Sequence, residues 1–83
     1  MKVTVRYFAS IREALGPGES LELVSGATVA SARDALIERS PAHANALARG
    51  RALRSALNQT LCDEAVTLTD AAELAFFPPV TGG

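Results

Sequence analysis

Residues 73–83 read Glu73-Leu74-Ala75-Phe76-Phe77-Pro78-Pro79-Val80-Thr81-Gly82-Gly83. Leu74 and Phe76 alternate with Ala75 and Phe77, which predicts a strand over Glu73–Phe77. Proline cannot donate a hydrogen bond to a strand ladder, so we expect pairing to end at Pro78. The stretch therefore predicts a folded domain over residues 1–77 and an extended C-terminal tail over residues 78–83.

The predicted tail changes in stiffness along its length. Pro78 and Pro79 fix their own φ angles and push the residue before each of them toward extended conformations. Gly82 and Gly83 lack a Cβ, so we expect the tip to enter a passage that is too narrow for any side chain. Polyproline-like extension at about 3.1 Å per residue gives a reach of roughly 15–20 Å. A free α-carboxylate on Gly83 would then reach into the active site of another protein.

Outward from this stretch, the N-terminal half predicts a β-hairpin. Alternation marks a first strand whose buried positions are Val3, Val5 and Tyr7. The same alternation marks a second strand around Leu21 and Leu23, which would pair with the first. Between the two strands, the capping-box spacing of Ser10 and Glu13 predicts a short helix over Ile11–Leu15.

The strongest helix signal follows the hairpin, with Thr28 as the expected N-cap. Its apolar positions share one helical face: Val29, Ala32, Leu36 and Ile37. We expect its charged positions on other faces: Arg33, Asp34 and Glu38. Ser40-Pro41 predicts the start of another short helix that runs to Ala48.

A third strand is predicted by the alternation of Leu53, Ser55 and Leu57, and Asn58-Gln59 is a turn candidate. The order of elements is then a hairpin, one principal helix and further strands. This order predicts an α+β domain in which the principal helix lies across a sheet.

Size and composition exclude several classes of protein. At 83 residues the chain is long enough for one domain, which would bury about 60% of the surface of the unfolded chain. Its formal net charge is −1, whereas nucleic-acid binding needs a clustered basic excess, so we expect no nucleic-acid partner. We also expect no membrane partner and a cytoplasmic location, because no apolar run approaches the roughly 20 residues that cross a bilayer and no signal peptide is evident. Cys62 is the only cysteine, so we expect no disulfide and no metal site.

Three segments resemble the small subunit of molybdopterin synthase: Tyr7–Glu13, Leu57–Leu61 and above all Phe76–Gly83. Members of that family are ubiquitin-like β-grasp sulfur carriers in molybdenum cofactor biosynthesis. The resemblance covers nearly the whole chain in order and length, and its most specific part is the Phe-Phe-Pro-Pro-Val-Thr-Gly-Gly ending. It implies a mixed β-grasp sheet with one principal helix packed across it and short extra helices.

The chain departs from the family pattern at Asp70-Ala71-Ala72-Glu73, where relatives usually carry Asp-Gly-Asp-Glu. Alanine adopts a positive φ at a cost that glycine does not bear, so the sequence leaves the geometry of this turn open.

The resemblance implies a sulfur-transfer cycle centred on Gly83. A separate ATP-consuming adenylyltransferase, similar to ubiquitin-activating enzymes, would convert the Gly83 carboxylate to an acyl-adenylate. A persulfide would then displace AMP and leave a thiocarboxylate. The partner would be the large subunit of molybdopterin synthase, in a heterotetramer, and the acceptor would be cyclic pyranopterin monophosphate, which gains the dithiolene of molybdopterin. The chain itself would bind no cofactor and hold no catalytic site.

Roles then follow for individual residues of the tail. Gly83 would carry the activated group. The residues expected to thread the partner's channel or to set the exit direction are Gly82, Thr81, Val80, Pro79 and Pro78. Phe77, on the strand face opposite Leu74 and Phe76, would be either an exposed aromatic anchor for the partner or a core residue of a second face.

Other interpretations of the tail remain open at this point. A ubiquitin-like modifier would join its terminal glycine to lysines of target proteins, and it also begins with adenylation. A sulfur carrier of the thiamine type would use similar chemistry, although such chains are usually shorter and lack the double-Phe, double-Pro sequence. A β-grasp binding module would carry the tail incidentally. Simple fraying would not require an aromatic pair, a proline pair and a glycine pair in that order.

Residues elsewhere give weaker functional signals. We expect Cys62 to be a buried thiol rather than a sulfur-transfer group. We expect His43 to have a surface or helix-packing role, because no companion ligand or nucleophile stands near it in the sequence. Arg49, Arg51 and Arg54 form a basic cluster for which a solvated face is the default expectation.

Overall fold

The computed structural model describes residues 1–79. The predicted roles of Val80, Thr81, Gly82 and Gly83 concern positions that lie outside the described residues. The division into a domain over residues 1–77 and a tail over residues 78–83 therefore stays a prediction.

Within residues 1–79, the strands and helices follow one another in the order that the sequence predicts. They are β1 (Lys2–Tyr7), α1 (Ala9–Leu15), β2 (Gly18–Glu22), α2 (Val29–Ile37), α3 (Pro41–Ala46), β3 (Arg54–Leu57), β4 (Thr60–Cys62) and β5 (Glu73–Phe77). No helix among these residues is long and apolar enough to cross a bilayer.

The strands form one mixed sheet in the order β2-β1-β5-β3-β4. The predicted hairpin is confirmed, because β1 and β2 pair antiparallel. The last strand, β5, lies at the centre, parallel to β1 and antiparallel to β3. The strand that leads into the tail is therefore held on both sides by neighbouring strands.

The core lies between one face of this sheet and the helices. Alternate residues of β1 and β5 point into it, as predicted, and α2 contributes an apolar face. Its fully buried members include Val3, Val5, Tyr7, Val29, Ala32, Leu36, Leu74 and Phe76. We call this the core face, and the opposite side of the sheet the open face.

The predicted capping box at Ser10 is wrong. Helix α1 begins at Ala9, and its N-cap is Phe8, which makes no side-chain capping bond. The cause is the sheet: the Phe8 N–H donates to the Phe76 carbonyl over 3.2 Å, which keeps Phe8 extended with φ −132° and ψ 158°. The chain turns into the helix directly afterwards, so no residue separates the strand ladder from the first helical turn.

The caps of the next two helices are confirmed. Thr28 caps α2, and Ser31 completes a reciprocal capping box with it. Ser40 caps α3 by accepting a hydrogen bond from the His43 N–H, with Pro41 in the first turn. Helix α3 ends at Ala46, two residues earlier than predicted, and the carbonyls of Leu47 and Ala48 that follow accept hydrogen bonds from a side chain.

That side chain is Arg33, and the prediction that it lies on a face other than the apolar face of α2 is wrong. Arg33 is only 3% exposed. Its Nε donates to the Leu47 carbonyl and its Nη2 to the Ala48 carbonyl, while its Nη1 lies 2.8 Å from Glu64 Oε2. Arginine occupies this interior position because its planar fork of donors matches acceptors that the loop after α3 supplies.

Left-handed backbone occurs in the turn between β3 and β4 and in the turn before β5. Asn58 and Gln59 have φ angles of 49° and 70°, which confirms the predicted turn between β3 and β4. Ala71 has a φ of 65°, so the turn before β5 keeps a positive φ without glycine. The Ala71 N–H donates to the Lys2 carbonyl over 2.8 Å, which holds this turn against β1.

Candidate functional site

The candidate site begins where the central strand ends. Phe77 is the last residue of β5 and pairs with Arg54 of β3. Pro78 and Pro79 follow outside any strand, which confirms that pairing ends at Pro78. The root of the tail is thus fixed to the middle of the sheet rather than to an edge.

The strand register shows which side chains share the open face with Phe77. Residues that pair across neighbouring strands project to the same face. One row on this face runs across the sheet as Arg6, Ala75, Ala56 and Leu61. The next row, nearer the tail, contains Phe77 and Arg54. Phe8 extends that second row, because it continues the alternation of β1 in an extended conformation.

These rows form an apolar patch that we call the tail-root patch: Phe8, Ala56, Leu61, Ala75 and Phe77. Phe8 is 41% exposed and Leu61 is 67% exposed, whereas Phe77 is half-buried. The two alanines are small enough to leave a shallow floor between the larger side chains. The structure therefore places Phe77 on the open face. The patch around it also includes residues at the end of β1, on β3 and on β4.

Sequence reasoning missed Phe8 and Leu61 as members of this patch. Phe8 carried a usable signal, because it follows Thr4 and Arg6 at period two on the face opposite Val3, Val5 and Tyr7. The sequence around Leu61 carried no such signal, since the face of the sheet on which Leu61 lies depends on the register of β4 against β3. That register places Leu61 opposite Ala56.

Charged side chains border the patch. Arg6 lies 3.8 Å from Glu73, and both side chains are substantially exposed. Arg54 is exposed beside Phe77. The patch thus has an apolar centre with a partly basic rim, an arrangement typical of protein interfaces.

A hydrogen-bonded cluster supports the sheet from the core face, beneath the tail root. Its members come from four elements or their ends: Tyr7, Glu19, Arg39, Ser40 and His43. The Tyr7 hydroxyl donates to Glu19 Oε2 over 2.6 Å, and His43 Nε2 lies 2.7 Å from the same oxygen. Arg39 contacts the other carboxylate oxygen.

This cluster changes the acidity of its members. Burial raises the pKa of the Tyr7 hydroxyl, and its hydrogen bond to Glu19 raises it further. For Glu19, burial by itself would raise the pKa, but hydrogen bonds from Tyr7, His43 and Arg39 outweigh burial and hold the pKa below its usual value. His43 has the helix-packing role that the sequence left open, because it joins α3 to β2.

The three arginines of the predicted basic cluster do not share one surface. Arg49 forms ion pairs with Asp34 and Glu64, and hydrogen bonds to Asp34 raise the pKa of its guanidinium. Arg51 has its Nη2 3.5 Å from the Asn45 side-chain oxygen. Arg54 alone of the three lies on the open face, next to the tail root.

Cys62 is half-buried at the end of β4. Its sulfur lies 3.7 Å from the Ser55 hydroxyl, on the core face and away from the tail-root patch. Among residues 1–79, no group of three or more His, Cys, Asp or Glu side chains is arranged to hold a metal ion.

The fold and the tail root together define a ubiquitin-like β-grasp protein whose central, last strand presents its C-terminal residues. Comparison with known families agrees, since the ThiS family model matches residues 5–83. The chain belongs to the ThiS family, and within it to the molybdopterin synthase sulfur carrier subunits.

Curated relatives support this membership over the full length. The chain is 41% identical to the molybdopterin synthase sulfur carrier subunit of Escherichia coli over 81 residues, covering 98% of this chain and 99% of that protein. It is 38% identical to the subunit of the same name from Haemophilus influenzae, again over 98% of this chain and 99% of that protein.

Solved structures show the same fold. The crystal structure of SAMP1 from Haloferax volcanii superposes with a TM-score of 0.80 and 28% identity, covering 100% of both chains. A chain from the protein-protein complex of subunits 1 and 2 of the molybdopterin-converting factor of Helicobacter pylori gives a TM-score of 0.69 and 27% identity, also over 100% of both chains. These neighbours confirm the predicted β-grasp class.

Proposed function

We propose that Gly83 carries the sulfur of this carrier subunit as a C-terminal thiocarboxylate. The observation that supports the proposal most directly is the position of β5, which anchors the root of the Pro-Pro-Val-Thr-Gly-Gly tail at the centre of the sheet, beside the tail-root patch. In this proposal the folded domain positions the C-terminus so that the sulfur on Gly83 can be transferred within a partner protein.

The chemistry requires prior activation. A carboxylate is a poor electrophile, because it is anionic and would have to expel oxide. Attack of the Gly83 carboxylate on the α-phosphate of ATP forms an acyl-adenylate and releases pyrophosphate. The terminal sulfur of a persulfide then attacks the carbonyl carbon, AMP leaves, and reduction of the resulting acyl disulfide by a thiol frees the thiocarboxylate. The chain contributes the carbonyl, and a separate adenylyltransferase contributes ATP binding and catalysis.

The acceptor in this proposal is cyclic pyranopterin monophosphate, held by the large subunit of molybdopterin synthase. The sulfur of the thiocarboxylate attacks a carbon of the pterin side chain and displaces an oxygen substituent from it, and water then hydrolyses the acyl–sulfur bond, which leaves the sulfur on the pterin and returns Gly83 to a carboxylate. Two such deliveries supply the two sulfurs of the dithiolene. The curated relatives carry the molybdopterin name, which favours this pathway over a thiamine-type one.

The tail-root patch is the proposed docking surface for the large subunit. A complex of subunits 1 and 2 in the Helicobacter pylori neighbour supports such a partner. Docking at Phe8, Leu61 and Phe77 would place the start of the tail at the mouth of the partner's channel, where Pro78 and Pro79 set its direction and Val80, Thr81 and Gly82 thread it. The proposal also includes a heterotetramer in which two small subunits flank a dimer of large ones.

The docking role of Phe77 predicts a specific loss of affinity. Phe77→Ala should weaken binding to the large subunit by about 2 kcal/mol, or roughly 30-fold, because a central aromatic anchor is lost. The matched control is Val24→Ala, which alters another exposed apolar residue that is 78% exposed and lies away from the patch. Calorimetric titration measures both affinities, and equal affinities for Phe77→Ala and wild type would contradict the docking role.

The chain is proposed to lack a catalytic site and to bind no cofactor of its own. The chemistry on the open face supports this, since the patch is apolar and its rim consists of ion-paired or exposed charged groups. The partner would supply the groups that bind and activate the pterin. A cytoplasmic location also stays a prediction.

A modifier function is the second candidate. It is favoured by the similarity to SAMP1, a structure of the small archaeal modifier class. In that case the Gly83 adenylate would be attacked by a lysine amine of a target protein instead of a persulfide. The two candidates share the tail and the adenylation step, and they differ in the nucleophile that follows.

One experiment separates the two functions. The chain is incubated with ATP, an adenylyltransferase and a persulfide donor, and its intact mass is measured. A carrier exchanges one terminal oxygen for sulfur. A modifier forms conjugates with added proteins and shows no stable exchange, and that result would overturn the sulfur-carrier proposal.

A further inference from the structure

Arg54 differs from the other arginines of the sheet and its helices in having no carboxylate partner. Within residues 1–79, several arginines form an ion pair with an Asp or Glu side chain: Arg6, Arg33, Arg39 and Arg49. Arg54 is exposed on the open face and makes no ion pair or side-chain hydrogen bond with these residues. The other lysine and arginine side chains without an ion pair there lie away from the tail-root patch: Lys2, Arg12 and Arg51.

An acidic residue, Asp63, follows β4 on the side of the sheet where Arg54 lies. Ser55 pairs with Cys62, so continuing this antiparallel register by one residue places Asp63 beside Arg54. Asp63 Oδ1 accepts a hydrogen bond from the Ala65 N–H over 2.9 Å and forms no ion pair with Arg54. The Arg54 guanidinium is therefore available to a second molecule.

The place of Arg54 on the open face links its charge to the tail-root patch. It ends a row that runs across β1, β5 and β3 as Phe8, Phe77 and Arg54. A protein that covers the two aromatic side chains would also remove water from the guanidinium. Because removing an unpaired charge from water costs several kcal/mol, such a protein binds well only if it supplies an acceptor. A carboxylate is the matching acceptor, since it can take two parallel N–H donors from the planar guanidinium.

We propose that the protein that docks on the tail-root patch places a carboxylate against Arg54, and that this ion pair selects the partner. The inference rests on the proposed docking of the large subunit at this patch. The apolar side chains contribute a non-directional attraction, whereas the ion pair requires a carboxylate at one place. Since Arg54 lies on the β3 side of Phe77 and the β1 side of the row ends in Phe8, the ion pair also fixes the orientation of the partner.

The experiment measures the affinity of the full chain for the isolated large subunit by calorimetric titration. Arg54→Gln removes the charge and Arg54→Glu reverses it. The matched control is Arg12→Glu, which makes the same change of net charge at an exposed arginine of α1. Lysine is then substituted for the exposed acidic residues of the large subunit one at a time, and each of these variants is titrated with wild type and with Arg54→Glu.

We expect Arg54→Gln to bind at least about tenfold more weakly than wild type and Arg54→Glu at least about 100-fold more weakly. Arg12→Glu should stay within about threefold of wild type, because an exposed charge outside the interface contributes little. One lysine substitution on the large subunit should restore the binding of Arg54→Glu and weaken that of wild type. Thermal unfolding establishes that each variant is folded, and Arg54→Gln decides the test if Arg54→Glu is not.

Three results would overturn the inference alone. They are wild-type affinity in the folded Arg54 variants, an equal loss of affinity in Arg12→Glu, and a failure of every lysine substitution on the large subunit to restore Arg54→Glu. Absence of binding between the wild-type chain and the large subunit is a separate result, which would overturn the proposed docking and the inference with it.

Discussion

At the scale of single residues, Ala71 occupies a backbone conformation that favours glycine. Its φ of 65° lies in the left-handed region, which glycine adopts without the steric penalty that a Cβ brings. The turn keeps its geometry because the Ala71 N–H bonds to the Lys2 carbonyl and the neighbouring Ala72 carbonyl accepts from the Thr4 N–H over 2.9 Å. The hydrogen bonds to β1 therefore impose the turn on a residue that disfavours it.

Ala71→Gly should stabilise the protein by about 0.5–1 kcal/mol. The substitution removes a left-handed penalty of roughly 1–2 kcal/mol, and the greater freedom of glycine in the unfolded chain cancels about half of it. Chemical denaturation measures the difference. The matched control, Ala14→Gly on the exposed side of α1, should destabilise by about 1 kcal/mol. A loss of stability in Ala71→Gly would show that the positive φ is not strained.

Single residues also show which positions could be predicted from the sequence and which could not. The open-face position of Phe77 followed from alternation within one strand, which is a local rule. The position of Leu61 on the same open face as Phe77 could not be predicted, because it depends on the registers of β5, β3 and β4. Ser10 failed as a cap for the same reason, since a hydrogen bond to the distant Phe76 fixes Phe8.

At the scale of elements, Arg33 joins α2 to the chain that follows α3. Its donors reach the carbonyls of Leu47, Ala48 and Arg51 and the carboxylate of Glu64. Burial alone would raise the pKa of Glu64, but hydrogen bonds from Arg49 and Arg33 hold it below the usual value. The expectation for Arg33 followed from its charge, although position 33 lies four residues after Val29 and three before Leu36, on the same helical face. Its acceptors could not be predicted, because they come from residues well beyond the helix.

Arg33→Ala should destabilise the protein by about 3–5 kcal/mol, because it leaves several carbonyls without their donor and leaves the partly buried Glu64 carboxylate with Arg49 alone. Urea unfolding measures the loss. Arg33→Lys should recover only part of it, since an ammonium group cannot match the planar fork. Arg12→Ala, which removes an exposed arginine from α1, is the matched control and should change stability by less than about 0.5 kcal/mol. A similar small change for Arg33→Ala would contradict the joining role.

The second joining group at this scale is Glu19, which ties β2 to Tyr7 of β1 and to His43 of α3. Its pKa is lower in the folded protein than the usual value of 4.5, so its ionised form stabilises the fold. That stabilisation is complete above pH 4.5 and is lost as the pH falls through the folded-state pKa. Tyr7, Arg39 and His43 are the titratable groups that face this carboxylate.

Glu19→Gln should therefore lower stability near neutral pH by at least about 1 kcal/mol, since hydrogen bonds to a charged acceptor are lost. The difference between wild type and variant should shrink as the pH falls below about 4.5, the range in which an unfolded glutamate gains its proton. Denaturation at a series of pH values measures both quantities, with Glu13→Gln on α1 as the matched control. A difference that stays constant down to about pH 3 would contradict the ionised role of Glu19.

At the scale of the whole molecule, the order of elements could be predicted from periodicity and caps, whereas the β-grasp class followed from the resemblance of the C-terminal motif and two further segments to a known family. The predicted hairpin, principal helix and last strand are all present, and the structure adds that the last strand is central. What the sequence could not supply is the assembly of distant residues on the open face, where Phe8 and Leu61 join Phe77. The molecule is thus organised as a rigid sheet that presents one strand end and an apolar surface together.

This organisation leads to the central claim that sulfur leaves the molecule from Gly83 while the body stays folded and docked. The direct test is a single-turnover reaction of thiocarboxylated chain with the large subunit and cyclic pyranopterin monophosphate, followed by intact mass. We predict that the terminal sulfur is replaced by oxygen at the same rate as the dithiolene forms. Dithiolene formation with the sulfur still present on the chain would contradict the account.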